Sequence, residues 1–281
     1  MRMWRMKNPH SKLLFDDTDG SFLGCPIFLT TKNKRKMLHS QIKNNQITFT
    51  TSRYYTTESG NHVPSCSTIL DAYPKSPQYL AWLKENGSDS DEIMRQKGDQ
   101  GSVVHELTER YDAGEEINLL GDNGQPLYTI NEWGFFERYV NFSDRFEPQH
   151  ELIEQTVISE QLGFAGTIDR VSIINGKRYL IDLKTSAGIY NSYWLQVAAY
   201  RELLRVETKI EVDAVAILWV NAKTRTEGKK GDIQGIGWQL AVREDTTKDL
   251  ELFRHTQNLW LAEHGEEKPK QWSYQLTHKK K

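Results

Sequence analysis

The 281-residue chain has only two cysteines, Cys25 and Cys66, 41 positions apart by their numbers. That excludes a disulfide framework, a zinc knuckle and an iron–sulfur cluster, and it points to a reducing compartment. Long apolar runs are also missing. The longest, Ala214 to Val220, falls far short of the roughly 20 residues that span a bilayer, and no signal-peptide core is visible, so no membrane association is expected. An excess of either charge is absent too: 36 basic and 38 acidic side chains leave a formal net charge of −2. Any polyanion would have to be gripped by local patches. Three runs qualify, Lys32, Lys34, Arg35 and Lys36; Lys223, Arg225, Lys229 and Lys230; and the tail Lys279 to Lys281, although each also reads as a solvated loop or tail. Residues 1–15 lack acids, a faint presequence trait, but their amphipathic periodicity is poor. The cytoplasm is the expected location, ahead of the mitochondrion.

The strongest local signal is Asn175-Gly176, which joins two strand-like runs, Thr167 to Ile174 and Lys177 to Thr185, in the manner of a two-residue type I′ hairpin. If Ile174 pairs with Lys177, Asp169 falls opposite Asp182 and Thr167 opposite Lys184. Asp169, Asp182 and Lys184 then share a face with Val171, Ile173 and Leu180. Ile168, Ile174, Ile181 and Leu183 line the other. Opposed residues have Cβ atoms about 4.5–5.5 Å apart. Two unit charges at that range repel by roughly 4 kcal/mol at an effective dielectric near 20. A divalent cation between the carboxylates, with Lys184 one pleat along, removes the conflict and makes a site suited to phosphodiester chemistry. A solvated Asp-x-Lys pair on an exposed edge is the other reading. The apolar residues on both faces favour a covered sheet, where a carboxylate must be paired or coordinated.

The rest of the chain reads as an α/β protein: a mixed central sheet flanked by helices, with a helical N-terminal part. Residues 1–62 form an arm or extension with one strand-like stretch, Gln46 to Thr57. Residues 63–148 are helical, with patterns over Pro77 to Asn86, about Asp89 to Ala113 with a weak point at Gly98 to Gly101, and about Ile130 to Phe146. Residues 149–264 hold a three-strand meander, a helix from about Asn191 to Arg205, strands over Val212 to Val220 and Gly235 to Val242, and a last helix, Lys248 to His264. Residues 265–281 are a basic tail.

Two helices carry further polar signals. Around Asn191 to Arg205 a helical projection puts Ala198, Arg201, Glu202 and Arg205 outward, and Tyr193, Gln196, Ala199, Tyr200 and Leu203 inward. An inward amide without partners costs about 1–3 kcal/mol. Gln196 is therefore either a satisfied core residue or a group with a task. In the third helix His105, Thr108, Glu109 and Asp112 share one face. That face is either wet or, given the close approach that Gly98 and Gly101 allow, turned into a cleft.

Taken together, Gly101-x-x-x-His105, Gly166-Thr-Ile-Asp169, Asp182-Leu-Lys184 and Gln196-x-x-x-Tyr200 resemble, in order and spacing, the signature of the RecB-like branch of the PD-(D/E)XK nuclease superfamily. The resemblance covers roughly residues 63–264 and is closest to phage and bacterial exonucleases. The cysteines of the CRISPR-adaptation relatives and any helicase motif are missing. The resemblance implies a restriction-endonuclease-like core in which Asp169, Asp182 and the Leu183 carbonyl bind Mg²⁺ or Mn²⁺ and His105 completes the metal site. Lys184 would position or deprotonate the attacking water, and Gln196 and Tyr200 would hold Lys184 or the scissile phosphate. Glu154 and Glu109 are additional candidates. The implied activity is a metal-dependent DNA exonuclease of recombination, repair or phage replication, acting on DNA with ends. A single-strand annealing protein or further copies of the chain are the expected partners, and Tyr190, Tyr193 and Trp194 are candidates for stacking bases. A structure- or site-specific endonuclease, an inactive DNA-binding module, and a metal-binding protein that does not touch nucleic acid are the rivals.

Overall fold

Asn175 and Gly176 both adopt positive φ, 50° and 77°, as a type I′ turn demands. The strands they join pair as Ile174–Lys177, Val171–Leu180 and Arg170–Ile181. This hairpin sits inside a six-stranded sheet. The computed structural model describes residues 40–43, 46–50, 53–222, 233–265 and 269–280. In chain order its elements are β1 (Ser40–Lys43), β2 (Gln46–Thr50), β3 (Tyr54–Thr56), β4 (His62–Pro64), α1 (Cys66–Leu70), α2 (Pro77–Asn86), α3 (Ser90–Asp112) and α4 (Ile130–Phe146). There follow β5 (Gln149–Ser159), β6 (Phe164–Ile174), β7 (Lys177–Lys184), α5 (Asn191–Leu203), β8 (Ala214–Trp219), β9 (Ile233–Gly235), β10 (Trp238–Arg243), α6 (Thr247–His264) and β11 (Gln271–Gln275).

The large sheet has the order β5-β6-β7-β8-β10-β9. Only β7 and β8 run parallel, and α5 is the crossover that parallel neighbours require. Its two faces are covered by different layers. On one side α1, α5 and α6 bury Ile69, Leu195, Leu203 and Phe253 against Val171, Leu180 and Ile217; on the other, α3 and α4 bury Val104, Tyr139 and Phe142 against Ile181, Leu183 and Leu218. The α/β class, the mixed sheet and the helices on both faces agree with the sequence pattern. Among the described residues no helix is long and apolar enough to cross a membrane.

Several boundaries differ from expectation. Helix α3 runs unbroken through Gly98 and Gly101. Gly101 is useful for its missing side chain: a Cβ there would stand 3.3 Å from Oγ1 of Thr185, the residue that follows β7. The expected strand over Gly235 to Val242 is the hairpin β9–β10, turned at Gly237 with φ of 78°. The stretch over Gln46 to Thr57 divides between two sheets, and the tail is not a plain extension, because β11 pairs with β2 in the sheet β1-β2-β11. On α5, Ala198 is buried and Glu202 mostly so, since α6 covers the side expected to face water; Arg254 of α6 reaches Glu202 at 3.3 Å. The runs Lys32 to Lys36 and Lys223 to Lys230, Lys281 and residues 1–15 lie outside the described residues.

Candidate metal centre and active site

The site forms where the sheet stops being regular. Asp169, inside β6, is paired in neither the β5–β6 ladder nor the β6–β7 ladder, which ends at Arg170–Ile181. Antiparallel alternation would give the Leu183 N–H to Ile168. Instead it donates to Oδ2 of Asp169 at 2.7 Å. The strands part there, and β6 changes phase: Ile168 buries in the same cluster as Val171 and Leu180, not with Ile181 and Leu183 as strict alternation predicts.

Glu154 lies across from Asp169 on β5, between the pairs Ile153–Arg170 and Gln155–Ile168, and has φ of 47°. A left-handed glutamate within a strand is strained, and such strain is a pointer to function. The shift that sets this register is a bulge between His150 and Leu152. Helix α3 supplies His105, whose Nδ1 is 3.1 Å from Glu154 Oε1 and 3.7 Å from Asp169 Oδ2, while Nε2 is 3.2 Å from the Leu183 carbonyl. All these partners are acceptors, so the ring is suited to carry a proton on each nitrogen. Burial opposes that charge, but the carboxylates of Asp169 and Glu154 outweigh it, and the His105 pKa is raised. One ligand atom each from His105, Glu154 and Asp169 lie within 4.8 Å of one another, a group that could hold a metal ion. The proton on Nδ1 stands where a lone pair would face that ion, so binding there is tied to proton release. The Nε2–H bond to Leu183 fixes the tautomer that ligation needs.

Asp182 is not in that group, although its carboxylate feels the Asp169 charge. Parting of the strands moves Asp169 toward His105, and Asp182 turns to Lys184, with Oδ2 2.6 Å from Nζ. Burial and the nearby Asp169 charge push the Asp182 carboxyl up to about 6, against the pull of Lys184. Burial disfavours the Lys184 ammonium, yet Asp182 and Asp169 more than compensate and its pKa is raised. Its Nζ also lies 4.8 Å from the centre of the Tyr193 ring. Oδ1 of Asp182 is buried and accepts no hydrogen bond, a costly state that a cation would relieve. Glu109 stands one turn after His105, its pKa raised by partial burial and by the Glu154 charge. The carboxylates of Glu154 and Asp169 with the His105 imidazole, and the Asp182 carboxylate close enough to feel the charges of Asp169 and His105, suit an oxygen-preferring ion such as Mg²⁺ or Mn²⁺.

Gln196 and Tyr200 bond to each other, the amide donating to the phenol oxygen at 3.0 Å. Tyr200 is buried against Gly166, where a Cβ would lie 2.2 Å from its ring. The glycine of one sequence motif and the tyrosine of another are thus two halves of one contact. Gly166→Ala is expected to displace the ring and cost about 1–3 kcal/mol, the usual range for overpacking; an unchanged urea midpoint would remove this explanation of Gly166. Trp194 is no stacking candidate, since it is buried under the Arg243 guanidinium, 4.0 Å from its ring centre.

A second polar network was not anticipated. Arg170 donates from Nε to Asp112 at 2.7 Å, Tyr139 donates its hydroxyl to the same carboxylate, and His150 Nε2 is 3.5 Å away. Both charged side chains are 1% exposed. The sequence did hold a signal: an arginine in the middle of an apolar strand must find a buried partner. No protein-family model matches the chain, and no curated protein matches it.

Proposed function

We propose that the protein is a metal-dependent DNA exonuclease with a restriction-endonuclease-like core of the RecB-like type. The observation that carries this reading is the His105–Glu154–Asp169 group beside a buried carboxylate, Asp182, that has one unpartnered oxygen and a lysine on the other. A bound Mg²⁺ or Mn²⁺ supplies a water of lowered pKa and neutralises phosphate oxygens that would repel it. His105, Glu154 and Asp169 would hold the ion, beside the buried Asp182 carboxylate. Lys184, kept cationic by Asp182 and Asp169, lies ready to offset charge developing on the phosphorus oxygens. Tyr193 limits where its ammonium can swing.

The test is digestion of end-labelled single- and double-stranded linear DNA, with a circular control, in Mg²⁺, Mn²⁺ and EDTA. Loss of linear DNA only, and only with metal, is the expected result. Cutting of the circle would make it an endonuclease, and binding without cutting would make it an inactive module. Lys184→Ala is expected to slow cleavage by about 10²–10³-fold, the scale of a lost transition-state donor, with Mn²⁺ affinity by calorimetry little changed. A collapse of metal affinity instead would show that Lys184 builds the metal site.

A further inference from the structure

Beside the metal centre, the turn that follows β7 carries a half-exposed aromatic ring which no part of the mechanism above uses. Tyr190 is 49% exposed and its ring centre is 5.3 Å from that of Tyr193, edge to face at 71°. Tyr193 is the ring against which the Lys184 ammonium rests, 4.8 Å away. The turn itself is fixed. Trp219 donates from Nε1 to the Ser186 carbonyl at 2.7 Å, Asn221 donates to the carbonyls of Thr185 and Ser186, and Ser186 bonds to the Gly188 carbonyl. Ile189 packs on the core just before Tyr190. The ring is therefore held out to water by a rigid support, one aromatic contact from the reacting lysine. Binding groups held in this way need little further ordering when a ligand arrives.

We propose that Tyr190 is a stacking platform for the nucleobase next to the scissile phosphate, and that the substrate is consequently single-stranded DNA or a frayed end. This deepens, and rests on, the reading of the site as a nuclease. A phosphodiester placed at Lys184 brings its attached nucleoside to the side of the Lys184–Tyr193–Tyr190 series, whose two steps are 4.8 Å and 5.3 Å. A planar base has a π-face whatever its identity, so stacking gives grip without sequence preference. In a duplex both faces of a base are covered by its neighbours. A base can reach Tyr190 only once it has left the stack, and that costs least where it is unpaired.

The experiment uses the full chain and single-stranded oligonucleotides. Binding is followed in EDTA at low salt by the fluorescence of a 2-aminopurine placed at successive positions, and cleavage in Mg²⁺ on the same strands. Tyr190→Ala is expected to weaken binding and lower kcat/KM on single strands about tenfold. Tyr190→Phe should keep both, and an abasic nucleotide at one position should reproduce the alanine loss without adding to it in the double change. Cleavage by the unaltered protein with no effect of Tyr190→Ala, or with equal effects at every abasic position, would overturn the platform and leave the nuclease reading standing. Position-dependent 2-aminopurine quenching that Tyr190→Ala abolishes, in a protein that cuts nothing, would uphold the platform and remove the nuclease reading. No single-strand binding at all would overturn the platform outright.

Discussion

Asp169→Ala is expected to abolish metal-dependent cleavage. Three functions end with that carboxylate. It is one of the three groups that could hold the ion, it accepts the Leu183 N–H at the parting of β6 and β7, and it is the leading electrostatic support of the charged His105 ring. Losing a residue that only supports a metal ligand typically costs about 10–100-fold in affinity or activity, so the loss here should exceed that range. Asp169→Asn separates the roles. The amide oxygen can still accept from Leu183, which keeps the strands as they are, while the negative charge is gone. We expect a near-native urea midpoint for Asp169→Asn, no calorimetric signal for Mn²⁺ in either variant, and no product from end-labelled DNA. Cleavage by Asp169→Asn at more than a few per cent of the normal rate would remove Asp169 from the metal centre.

Asp112→Ala should have the largest effect on folding. It leaves the Arg170 guanidinium, 1% exposed and already without partners at both terminal nitrogens, without its paired carboxylate. Removing one partner of a buried pair costs about 3–5 kcal/mol, a large share of the roughly 5–15 kcal/mol that holds a domain together. Burial favours the neutral acid at Asp112, but hydrogen bonding to His150, the Arg170 charge and the Tyr139 hydroxyl prevail, and its pKa is lowered. The stabilisation is thus complete above the unfolded carboxylate value of about 3.9 and disappears as pH falls through the still lower folded value. The urea midpoints of the unaltered protein and Asp112→Asn should differ widely at pH 7 and converge in acid. A gap that persists once both side chains are neutral would mean that shape, not charge, is what Asp112 contributes.

The sequence made much of this legible because short-range chemistry dictated it. Asn175-Gly176 set the hairpin and its first pairs, and the helical pattern over Pro77 to Asn86 matched α2. Counting residues failed where the backbone departs from ideal pairing. The ladder ends one residue before Asp169 could meet Asp182, and a bulge on β5 brings up Glu154. Neither event is marked by a turn residue in the local sequence, and His105 of α3 contacts Glu154, Asp169 and Leu183 where they occur. Arg170 and Asp112 are 58 residues apart, and nothing in either neighbourhood names the other. Gly166 read as a motif position, but its necessity is visible only once the Tyr200 ring lies on it.

The pairing of β11 with β2 ties the two ends of the described chain into one small sheet. Proteolytic trimming after α6 would strip β2 of a neighbour and leave its amides and carbonyls open along one side. Such an open border recruits whatever extended chain is at hand, including another molecule of the same kind.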